Sequence, residues 1–154
     1  MSTRCVIEFA WKDTPVAYIY RHSDGYPDSE HGVPADLCRF LLEVDTTLAD
    51  KRFGDPEYLA AKFVVWQAAQ FGSGLDFLSL GITTGVEEKH EDINYVYRVS
   101  SQEGRGMPLI KWRAAGQKKW HKVSYAKTRN KGMTVGIDKE KIKLPPYKEE
   151  NKYV

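Results

Sequence analysis

The chain has 154 residues, 42% hydrophobic and 29% charged, which suits one globular domain with one core. No apolar run approaches the ~20 residues of a bilayer-crossing helix, and the start Met1-Ser2-Thr3-Arg4-Cys5 lacks the basic and apolar regions of a signal peptide, so neither membrane insertion nor export is expected. The formal charge of +2 hides a division: residues 1–97 carry 8 Lys+Arg against 16 Asp+Glu, whereas residues 98–132 carry 10 against one acid, Glu103.

Arg4 to Ala10 reads as a strand from its β-branched and aromatic content, Trp11 to Pro15 as a turn, and Val16 to Arg21 as a second strand. Both faces of this hairpin carry apolar residues, so cover on both sides is expected. The polar loop His22 to Gly32 follows, with turn dipeptides Asp24-Gly25 and Tyr26-Pro27. Helix one starts near Val33-Pro34, with Leu37, Phe40, Leu41 and Val44 as its buried stripe. Asp55-Pro56-Glu57 opens helix two, whose apolar face is Leu59, Ala60, Phe63, Val64, Ala68 and Phe71; Gly72-Ser73-Gly74 ends it. Leu75 to Gly85 suits a buried strand or a packed loop. Ile93 to Val99, Met107 to Ala114 and Trp120 to Tyr125 read as further strands, with a turn at Ala115-Gly116-Gln117.

The expected fold class is α+β: an N-terminal β-hairpin, two helices, then an antiparallel β region completing one sheet. Residues 1–138 form a single domain, and 139–154 read as a charged tail with Pro145-Pro146, loosely attached or docked on a partner. Cys5 and Cys38 sit among apolar residues and read as free buried thiols, which suits a reducing cytoplasm, that of the host if the gene is viral.

Ser2-Thr3-Arg4, Ile7, Tyr20, Asp24-Gly25-Tyr26-Pro27, Gly32 and Phe40-Leu41 resemble a family of small proteins of bacteriophages, prophages, bacteria and some fungi. Members open with Ser/Gly-Thr-Arg and carry Asp-Gly-Tyr-Pro or Asp-Gly-Tyr-Leu after a second strand. The resemblance covers the first 45 residues. It implies a shared fold and a mobile-element origin, and it carries no activity with it. The chain departs from the pattern at Ser29-Glu30-His31, so any role of His31 is its own.

The loop holds the densest polar chemistry: Arg21, His22, Asp24, Glu30, His31 and Asp36, with Arg4 on the paired strand. Three readings stand. His22, Asp24 and His31 can supply imidazole and carboxylate to one metal, though at a spacing that matches no strong motif. Asp24 can instead be a turn residue that bonds its own backbone and is tied down by Arg4. Arg4, Arg21 and His22, close to the start of helix one, can hold a small anionic or nucleotide-like ligand.

The second candidate is basic. Lys111, Arg113, Lys118, Lys119 and Lys122 bracket a predicted hairpin with Trp112 and Trp120 interleaved, a composition that serves phosphates and bases. By alternation, Trp112 faces away from Lys111 and Arg113. The competing reading puts the tryptophans in the core and leaves the lysines solvated or docked on the acidic half of the same chain or of a second copy.

An N-terminal Ser2 nucleophile is a weaker idea, and Cys38 has no neighbour that lowers its pKa. Trp66 and Gln67 read as packing and surface. Gly72-x-Gly74 and Gly104-x-Gly106 lack the strand–glycine–helix context of a dinucleotide loop. The expectation is a binding protein without a cofactor that engages nucleic acid or a nucleotide-like ligand through the basic hairpin. The alternatives are a protein-interaction or inhibitor module aimed at a host protein, and an enzyme using His22, Asp24 and His31.

Overall fold

The computed structural model describes residues 2–70, 75, 78–104 and 106–148. These form the expected α+β arrangement: hairpin β1 (Cys5–Trp11) and β2 (Thr14–Arg21), helices α1 (Val33–Thr47) and α2 (Pro56–Gln70), then β3 (Leu80–Thr83), β4 (Tyr95–Ser101), β5 (Leu109–Ala114), β6 (His121–Lys127), β7 (Met133–Ile137) and β8 (Glu140–Leu144). All eight strands share one sheet in the order β3-β2-β1-β4-β5-β6-β7-β8. β1 and β4 run parallel, which the helical crossover between them allows, and every other neighbouring pair is antiparallel.

Both helices lie on one face of the sheet. α2 packs on β1, β2 and β4, and α1 on β7 and β8. Alternation along the strands sends Ile7, Phe9, Ile19, Tyr97, Val99, Val123 and Val135 inward to meet Leu37, Phe40, Leu41 and Phe63. Phe40 meets Phe63 edge to face, centroids 5.4 Å apart. β1 is buried on its other face as well, where Val6, Val96 and Ile93 are covered by Tyr18, Tyr20, Val86 and Trp120. The hairpin's central strand is thus sandwiched as its composition suggests.

Two strands, β7 and β8, go beyond the expected set. Residues 139–154 were expected to form a charged tail, but Glu140–Leu144 is β8, paired antiparallel with β7. The turn Asp138-Lys139, with Asp138 at φ 51°, closes that hairpin. Ile142 and Leu144 are buried under α1 while Lys141 and Lys143 stay exposed. Pro145, Pro146 and Tyr147 then border a cleft with Arg39 and Leu42 of α1 and Trp66 and Gln70 of α2. Residues 140–147 therefore dock on their own domain. The predicted stop at Gly72-Ser73-Gly74 and the helix-two residue Phe71 lie outside the described residues. Leu80–Thr83, the later part of the ambiguous apolar stretch, becomes the edge strand β3.

Candidate functional site

The polar cluster that is continuous in sequence divides between the two faces of the sheet. Arg21 points under the helices and is 2% exposed, while Tyr20 and His22 face the other way. Arg4 does not reach Asp24. Its Nε donates to Nδ1 of His22 (3.3 Å) and lies 3.3 Å from Oδ2 of Asp92, which also accepts from the Tyr20 hydroxyl. His90 stacks on Tyr20 at 4.7 Å and sits 2.7 Å from the Thr83 hydroxyl. The expected Arg4–Asp24 pair is corrected: Arg4, just before β1, is held on the open face by His22 and Asp92, whereas Asp24 lies on the helix side beside Arg21.

The Asp24-Gly25-Tyr26-Pro27 turn is held through main-chain atoms. Gly25 N–H donates to the Thr3 carbonyl, and the buried Tyr97 hydroxyl donates to the Gly25 carbonyl at 2.6 Å. A Cβ on Gly25 would stand 2.8 Å from that Thr3 oxygen, so this close approach requires glycine. Arg21 fixes the rest. Nε donates to the Ser23 carbonyl (2.8 Å), Nη2 to the Asp24 carbonyl (3.2 Å) and Nη1 to Oε1 of Gln67 (3.3 Å), while Nη1 pairs with Asp36 at 2.8 Å. Its planar fork is nearly saturated by the protein. Gln67 is buried at this junction, not on the surface as expected. Asp36 also binds Arg39 (3.2 Å); burial raises its carboxyl above the usual range, and the two guanidiniums pull it back.

A cavity of about 270 Å³ opens at this junction, lined by Arg21, Asp24, His31, Asp36, Arg39 and Gln67 among others. His31 is exposed and leans on Glu30 (3.4 Å). The start of α1 adds little for an anion. Val33 N–H is taken by the Tyr26 carbonyl, and Pro34 has none. His22, Asp24 and His31 do not converge, and the described residues hold no group of three metal-ligating side chains. Arg4 and His22 stand on the opposite face from Arg21, so the three do not form one pocket.

On the open face, register aligns Tyr18, Glu8, Arg98, Lys111 and Lys122 across five strands. Arg98 donates to the buried Glu8 at 2.6 Å, Lys111 pairs with Asp13 at 3.1 Å, and Arg113 grips Glu87 with two bonds of 2.7 Å. Glu87 also accepts from Gly116 N–H, and the Arg113 bonds hold its carboxyl down at about 2. Lys127 of β6 pairs with Asp45. The acidic front half thus neutralises much of the basic segment inside the fold. Trp120 lies beneath Arg98, Lys111 and Arg113, at 4.7, 4.9 and 5.2 Å, and Trp112 is buried on the helix face against Tyr95 and His121.

No protein-family model, curated protein or solved structure matches the chain.

Most of the cations left over among the described residues gather at the β6–β8 end of the sheet. Lys118 and Lys119 are exposed in the loop before β6, and Lys122 on β6 is exposed. Lys141 and Lys143 share its face, because Ser124 aligns with Gly136 and Lys141, and Ala126 with Thr134 and Lys143. Lys139 sits in the turn between β7 and β8. Among the described residues none of these six lysines has an acidic partner. Lys118, Lys119 and Lys122 were anticipated from the sequence. The β8 lysines were missed, although the alternation Lys141-Ile142-Lys143-Leu144 carries their signal.

Proposed function

We propose that the protein binds nucleic acid through the open face of β6–β8. The observation that carries this reading is the set of exposed lysines, Lys118, Lys119, Lys122, Lys139, Lys141 and Lys143, that lack acidic partners among the described residues. Unpaired cations clustered on one face are the electrostatic footprint of a polyanion binder. The surface between them is flat: Ser124, Ala126, Thr134 and Gly136 let a phosphate backbone approach closely. Lys111, Arg113 and Trp120 of the hairpin then support this surface, since their charges and ring are already engaged. Two free buried thiols suit a reducing cytoplasm as the place of action. Fluorescence anisotropy with labelled single- and double-stranded oligonucleotides at low salt tests the reading. Binding that weakens steeply with added salt supports it, and no binding to either probe ends it.

A second reading, a module that engages a protein, draws on an apolar cleft of about 310 Å³ between α1 and α2. It is lined by Phe40, Val44, Leu48, Ala61 and Val65, with Val65 59% exposed. A folded Val65→Asp variant that keeps every partner of the parent protein would remove this reading.

A further inference from the structure

We infer that the nucleic acid is taken as a duplex, gripped by two lines of lysines across one groove, and not as an unstacked single strand. This rests on the polyanion reading above and adds the form of the partner.

Single-strand binders combine a charged track with rings on which bases stack. The lysine field lacks the second part. Trp120 is capped by Arg98, Lys111 and Arg113, and Trp112 is buried between Tyr95 and His121. Tyr125 turns its hydroxyl into the Pro108 carbonyl on the helix side. The aromatic residues exposed as large apolar surface among the described residues are Trp11 and Tyr58, and neither lies on β6–β8.

The lysines instead form two lines. Lys122 on β6, continued by Lys118 and Lys119 in the preceding loop, makes one. Lys141 and Lys143 on β8, with Lys139 in the turn, make the other. β7 presents Thr134 and Gly136 between Ser124 and Ala126 of β6 and Lys141 and Lys143 of β8, so the two lines are staggered along the strands, Lys122 lying two residues short of the level of Lys141. Two strand spacings and the two-residue stagger put Lys122 about 12 Å from Lys141, and Lys141 and Lys143 stand about 7 Å apart along β8. That diagonal is comparable to the major-groove width of B-DNA, about 12 Å. Long lysine side chains on each line can therefore reach the two facing phosphate backbones, with the small residues between them. A single strand offers one backbone and leaves one line idle. Every contact is to phosphate, so the binding is independent of sequence.

The test uses the whole protein and two probes of equal length, one duplex and one homopolymeric single strand, at the same low salt. The expected result is duplex affinity higher by about tenfold or more, with a salt slope steeper by about 0.9 per additional phosphate engaged. Charge reversal on β8 alone, Lys141→Glu with Lys143→Glu, should bring duplex affinity down to the single-strand level. Equal or tighter binding to the single strand overturns the duplex inference and leaves the polyanion reading standing. No binding to either probe overturns both.

Discussion

Arg21 is the residue on which the N-terminal loop depends. It is buried, and its guanidinium joins β2 to the carbonyls of Ser23 and Asp24, to Asp36 of α1 and to Gln67 of α2. Its removal strands the buried Gln67 amide and leaves the half-buried Asp36 with Arg39 alone, so Arg21→Met should cost about 3 kcal/mol in urea unfolding. Arg21→Lys should not rescue, because one ammonium cannot span four acceptors in a plane. Glu87 offers a pH test. Its carboxyl is lowered in the fold from 4.5 to about 2, chiefly by the bonds from Arg113. A depressed acid contributes in full above its unfolded value and loses that contribution as pH falls through the folded one. Stability from this pair should therefore fade between about pH 4.5 and 2. Because Glu87 is 33% exposed, the contribution is on the order of 1 kcal/mol, and the gap between parent and Glu87→Gln should close across that range. Burial pushes the Cys5 thiol up to about 12 and raises Cys38 as well. Both should resist a thiol reagent at neutral pH in the native protein and react on unfolding.

At the scale of elements, β8 is the decisive case. Ile142 and Leu144 are 7% and 4% exposed, so Leu144→Ala should cost about 2 to 4 kcal/mol, as in other cores. Deleting residues 139–154 should destabilise the whole domain in thermal melts, whereas a loose tail would be removed without effect. β8 was hidden in the sequence because its charge and the prolines after it look disordered, and burial of alternate residues appears only once β7 is beside it. The hairpin, both helices and three later strands were legible, since their apolar spacing is local. The candidate site was legible in composition but not in arrangement. Arg21 and His22 are adjacent in sequence, yet the two-residue period of a strand puts them on opposite faces. The partners that decide their roles, Gln67 and Asp92, lie far along the chain, where sequence alone gives no register.

Across the whole molecule, the charge division of the sequence is partly spent in folding. Arg98, Lys111, Arg113 and Lys127 are matched by Glu8, Asp13, Glu87 and Asp45. The surplus, carried by lysines on and beside β6 and β8, is what remains for a partner. Lysines on an edge strand also discourage sheet-to-sheet aggregation, a role that β8 would fill with no ligand at all. The two roles separate in one measurement: the affinity and salt slope for a DNA duplex of the parent protein and of the triple variant Lys122→Glu, Lys141→Glu, Lys143→Glu, with folding of both checked by circular dichroism. The expected outcome is a folded variant that loses most of its affinity and whose log–log salt slope falls by about 2.7, from three lost phosphate contacts. A folded variant with undiminished duplex affinity would contradict the account.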